Sequence, residues 1–157
     1  HPEKTRKVDL SWGREGFNFL GWYLRKRMSG RLKEQGKERF FLHRWPSVRS
    51  VKRVQQKVKE LTGSNRNGVK DVRVLIDDLN PVLRGWGNYF RTGNSAMKFS
   101  LVDKHVEKRL RNFLIRRHGR NLRPGQATLW TGDWLKTAGL HQLRGTIRYP
   151  DVVHAVV

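Results

Sequence analysis

Residues 79–91 read Leu-Asn-Pro-Val-Leu-Arg-Gly-Trp-Gly-Asn-Tyr-Phe-Arg. Asn80 can cap a helix, and Pro81 suits a first turn, where its missing N–H costs nothing. Leu83, Trp86, Tyr89 and Phe90 then fall at helical spacing on one side, which predicts an amphipathic helix with an aromatic face turned to a core. Arg84 and Arg91 flank that face. A helix start, three aromatics and two arginines therefore share thirteen positions.

Helical patterning extends in both directions from this block. Upstream, Ser47 follows Pro46 as a cap, and Val48, Val51, Val54, Val58 and Leu61 recur at spacings of three and four until Gly63. Arg49, Lys52, Arg53, Lys57 and Lys59 occupy the other faces of that helix. A second helix is expected from Val69 to Asp78, with Asn80-Pro81 separating it from the next. Downstream, Phe99, Val102, Val106, Leu110 and Phe113 mark the buried stripe of a helix over 97–117. Lys104, Lys108 and Arg111 lie opposite that stripe at i, i+4 and i+7, a basic ridge.

The first 45 residues alternate instead of cycling. Val8 and Leu10, the run Phe17 to Tyr23, and Phe40 to Leu42 predict strands, with turns at 13–16 and 29–37. Beyond Arg120, Pro124-Gly125 breaks the pattern, Trp130 and Trp134 suggest docking onto the bundle, and 143–149 predicts a short strand. The fold class is α+β: a small antiparallel β-sheet or ribbon, then a three- to four-helix bundle.

Thirty-four Lys and Arg against thirteen Asp and Glu leave a formal charge of +21 on 157 residues. Self-repulsion of that size penalises a compact state unless the charge meets a polyanion, so nucleic acid is the expected partner. No apolar run is long enough for a membrane span. Six tryptophans and 10% aromatic residues argue against a disordered basic tail. Zero cysteines exclude disulfides and thiolate metal sites and fit a reducing cytoplasm. The six histidines are scattered without a ligand spacing, so no metal site is expected. Asp77-Asp78 sits in an amphipathic helical context and not in the strand–turn–strand hairpin where polymerases hold magnesium. Gly85-Trp86-Gly87 lacks the third glycine of a dinucleotide fingerprint, and no nucleophile–base arrangement is evident. No catalytic residue is expected in this chain.

The block at 79–91 resembles the maturase-specific region of group II intron reverse transcriptases, where a pattern of the form LNP-x-LRGW-x-NY-[FY]-R is a hallmark. His1-Pro-Glu-Lys-Thr-Arg6 followed by Gly16-Phe-Asn-Phe-Leu-Gly-Trp22 resembles the last motif of the palm in that family, whose GF-x-FLG strand forms the primer grip. Pro46-Ser47 is similar to the opening of the thumb, or domain X, and Arg109 to Arg120 to its close. The stretch from Gly139 to Pro150 is similar to extensions on some bacterial members.

The resemblance implies three regions: 1–45, the end of the palm; 46–120, the thumb or maturase domain; and 121–157, a C-terminal extension. It implies that Phe17, Phe19, Leu20 and Gly21 shape a primer grip, and that Arg84, Asn88 and Arg91 are available to RNA while Trp86 and Tyr89 are mainly core. Helical geometry, not the family pattern, adds Lys52, Lys59, Lys104, Lys108 and Arg111 as phosphate contacts. Group II intron RNA, an RNA/DNA template–primer duplex and the fingers and palm of the same polymerase are the implied partners, in a cytoplasmic ribonucleoprotein of bacterial type. A homodimer is left open. The magnesium-binding aspartates of the family lie upstream of residue 1, so Mg2+ is expected only in that missing polymerase site, and no cofactor is expected for this chain. A start at His1 without Met suggests a piece of a longer protein. Two alternatives remain: a C-terminal polymerase fragment with no independent role, and a general basic nucleic-acid-binding module.

Overall fold

A computed structural model describes residues 7–149. It is α+β, with three antiparallel strands first and helices after. Its residues separate into two compact units, divided between Ser50 and Val51.

In the first unit, β1 (Gly16–Phe19), β2 (Trp22–Met28) and β3 (Phe40–Pro46) form a sheet in the order β1-β2-β3. Phe19 pairs with Trp22, so Leu20 and Gly21 alone make the β1–β2 turn. Both have positive φ, 47° and 83°, as a two-residue hairpin turn with the native strand twist requires. Gly21 takes this conformation freely, whereas Leu20 adopts it against the preference of an L side chain. The run Phe17 to Tyr23 is therefore two strands and a turn. A short helix, α1 (Gly30–Glu34), capped by Ser29 through the Leu32 N–H, lies where only a turn is expected. Val8 and Leu10 form no strand: the Asp9 carboxylate accepts from the Ser11 N–H at 2.8 Å and bends the chain locally. Pro46 aside, no apolar side chain of the described residues in this unit is fully buried.

The second unit holds the core. The unit boundary falls within the first turn of α2 (Val48–Leu61), whose first residues follow a Ser47 hydroxyl that accepts from the Ser50 N–H. Val51, Val54 and Val58 are buried, while Val48 is 63% exposed. The largest difference from expectation is α3 (Val72–Phe90), a continuous helix that runs through Pro81. A proline inside a helix costs roughly 3 kcal/mol. Here Val72, Leu75, Ile76, Leu79, Leu83 and Phe90 are all buried, on both sides of Pro81, and packing of one unbroken stripe outweighs that cost. Asn80 is consequently no cap. It is buried in mid-helix, where its amide donates to the Gly139 carbonyl at 2.9 Å and accepts from the His141 N–H at 2.8 Å.

Helix α4 (Ala96–His118) buries Phe99, Val102, Val106, Leu110, Phe113 and Leu114. The tail then packs within the same unit through α5 (Gly132–Thr137) and the buried side chains Trp130, Leu135, Leu140 and Leu143. Trp134 is 38% exposed and docks only in part. The strand expected at 143–149 is absent. Asp103 of α4 accepts from the Leu143 and Arg144 N–H groups at 2.9 and 3.0 Å and starts a single 3-10 turn, Arg144–Thr146.

Candidate nucleic-acid interface

The outer face of α3 is the stripe Arg73, Val74, Asp77, Pro81, Arg84, Gly85, Asn88 and Tyr89, all exposed. Arg84 and Asn88 lie one turn apart on it, and Arg91 caps its end, half-buried. None of these three side chains forms an ion pair with a described residue. Trp86 packs inward, its ring centroid 4.9 Å from that of Phe90 and 5.5 Å from that of Phe99. Tyr89 departs from expectation: it stands 51% exposed, edge-on to Phe90 at 4.7 Å. Residue 86 turns toward α4 and residue 89 is carried with Arg84 and Asn88. An aromatic ring thus joins the polar stripe, and such a ring can stack on an unpaired base.

On α2, Lys52 and Lys59 are exposed; on α4, Lys104 and Lys108 are exposed. Arg111 is half-buried and donates Nε–H to the Trp130 carbonyl at 3.1 Å, so its guanidinium also anchors the tail. The predicted basic ridge therefore has two members facing solvent and a third partly engaged in structure.

A denser basic corner, missed in the sequence reading, surrounds Thr62. Arg109 donates Nε–H to Thr62 Oγ1 at 2.9 Å and Nη2–H to the Thr62 carbonyl at 3.1 Å. Arg116 reaches the same carbonyl at 3.5 Å. The partners are neutral, so they fix the guanidiniums without cancelling their charge. Asn67, Phe113, Arg116 and Arg117 line a cavity of about 260 Å3 beside this corner. The signal was present in Arg109-x-x-x-Phe113-x-x-Arg116-Arg117, whose spacing keeps 109, 113 and 116 on one side of a helix.

Within the first unit, Phe19 and Leu20 are 58% and 70% exposed at the hairpin tip, and Phe17 and Gly21 are half-exposed beside them. The Gly21 carbonyl accepts from the Ser47 N–H at 2.9 Å and from the Ser50 hydroxyl at 2.8 Å, which holds the turn. Arg44 lies 5.0 Å from the Trp22 ring centroid on the same sheet face as Phe19.

Asp77 and Asp78 are adjacent but lie inside α3, and Asp78 is ion-paired with Arg66. Successive helical side chains diverge by about 100°, so this pair does not present two free carboxylates to one magnesium ion. Half-buried histidines disfavour their charged forms: desolvation lowers the pKa of His105 and His141, assisted by Arg109 and Lys108 at the first and by Arg84 at the second. Desolvation raises Asp103 despite its two backbone donors.

Comparison with known families places residues 51–129, just over half of the chain, on the sequence model described as Group II intron, maturase-specific domain. No curated protein matches the chain.

Proposed function

The chain belongs to the group II intron maturase-specific domain family, and from that membership we propose that it is the RNA-binding maturase and thumb region of an intron-encoded reverse transcriptase. It grips intron RNA to promote splicing and holds a template–primer duplex during synthesis, as part of a cytoplasmic ribonucleoprotein and with no cofactor of its own. The observation that carries this reading is the disposition of +21 net charge: Lys52, Lys59, Arg84, Lys104 and Lys108 stand exposed, on three different helices. Each can neutralise a phosphate and release its counterion, which binds a folded polyanion over a broad surface. Asn88 and Tyr89 add a hydrogen-bonding amide and a stacking ring to the α3 stripe, chemistry suited to unpaired RNA.

Support for the primer-grip part is separate. The hairpin tip exposes Phe19 and Leu20 while the backbone behind it is held by Ser47 and Ser50, and Leu20 keeps a costly positive φ. Strain held by its surroundings is typical of positions with a binding role.

Arg84→Gln with Arg91→Gln tests the α3 stripe. RNA affinity falls and the slope of log K against log salt shrinks by about 1–2, because two phosphate contacts are lost, while the far-ultraviolet circular dichroism is unchanged. Unaltered affinity and slope remove these arginines from the interface.

A further inference from the structure

We infer that the cavity lined by Asn67, Phe113, Arg116 and Arg117 is a single-nucleotide pocket that takes one extruded RNA base together with its phosphate. The inference rests on the RNA-binding reading above and adds to it a defined subsite.

Three observations converge here. The first is size: about 260 Å3 falls just below the range of roughly 300–1,000 Å3 usual for drug-sized ligands, room for one flat heterocycle and its sugar but not a run of nucleotides. The second is charge. Arg116 is exposed and held only by the neutral Thr62 carbonyl, and Arg117 is exposed without an ion-pair partner among the described residues. Arg109 lies two turns back on the same side of α4, also on neutral acceptors of Thr62. The partial negative charge of the α4 C-terminus, about half an elementary charge, is outweighed by these guanidiniums. A larger cavity of about 470 Å3 makes the contrast, because its lining includes the pairs Lys57–Glu60 and Arg66–Asp78, whose charges already match. The third is chemistry. Phe113, 2% exposed, is a fixed apolar wall, and the Asn67 amide offers both a donor and an acceptor to a base edge. An apolar wall, one amide and two planar cations are the elements that bind a splayed nucleotide.

The test uses the purified chain with two RNA probes: a fully paired hairpin, and the same hairpin with one unpaired adenosine in the stem. The unpaired adenosine is expected to raise affinity about fivefold or more, near the low end of what one stacked base contributes. Asn67→Ala with Arg117→Gln alters two exposed side chains without hydrogen bonds of their own to lose, and should bring the bulged hairpin down to the paired one. Lys104→Gln with Lys108→Gln, exposed positions on the same helix that do not line the cavity, should weaken both probes alike and keep the preference. Equal binding of the two probes by the parent chain overturns the pocket while leaving general RNA binding intact, and so does a preference that survives Asn67→Ala with Arg117→Gln. No binding of either probe overturns the pocket and the RNA-binding reading together.

Discussion

Gly85 and Gly87 look equivalent in the sequence and have opposite roles. A Cβ on Gly87 would meet Leu143 Cδ2 at 2.6 Å, so the fully buried Leu143 side chain would have to shift within the core. Gly85 is exposed with nothing within 4 Å of the same position. Gly87→Ala is therefore expected to destabilise the fold by about 1–3 kcal/mol through overpacking, and Gly85→Ala to stabilise it by up to about 1 kcal/mol through helix propensity. Urea unfolding of both variants decides it, and equal effects would contradict the tail's close packing on α3. Asn80 teaches the same lesson about what a sequence exposes. Asn-Pro reads as a helix start from local propensity, but its amide partners are Gly139 and His141, about sixty residues away. A role set by so distant a partner leaves no local signature. Tyr89 leaves its expected core position for a related reason: a helical aromatic stripe spanning four residues is wider than the face that α4 covers.

The elements themselves were largely legible. Apolar periodicity placed α2 and α4 to within a few residues, and the buried stripe Phe99, Val102, Val106, Leu110, Phe113 reappears intact. The patterns at Phe17 to Tyr23 and Phe40 to Leu42 located the strands that form. Alternation also placed one at Val8 and Leu10, where none exists, and it did not show the two-residue turn, since Leu20 gives no turn signal. The contact between α2 and α4 carries a pH dependence. His105 has its pKa lowered from about 6.5, first by desolvation and then by Arg109 and Lys108, against a backbone hydrogen bond at Gln55. A histidine with a lowered folded pKa contributes stability that is fully present above its unfolded value. That contribution is lost as the pH falls from 6.5 toward the folded value. Thermal melts should therefore show a lower Tm at pH 5.5 than at pH 7.5, and His105→Gln should reduce the difference. His43 and His141, lowered mainly by the same desolvation, leave a residual slope. The raised carboxylates of Asp103 and Glu107 act in the opposite direction on acidification, and they are common to both proteins, so the comparison cancels them. An unchanged slope in His105→Gln would assign the effect elsewhere.

For the whole molecule, composition announced a polyanion partner before any element was placed, because +21 on 157 residues repels itself in a compact state. The two units divide the work unequally. Buried apolar side chains concentrate in the second unit, while the sheet of the first keeps its aromatics half-exposed. Where each cation sits was only partly readable: helical spacing found Lys104 and Lys108, but the Thr62 corner depends on how α4 crosses the end of α2. A basic surface alone binds any nucleic acid, whereas a maturase must prefer its intron. The most direct measurement is the affinity of the chain for a cognate group II intron RNA against a structured RNA of equal length, across a salt series. The account predicts a preference of about tenfold or more, roughly 1.4 kcal/mol, that persists as salt screens the shared electrostatic part. Affinities that are equal at low salt and fall together would contradict it.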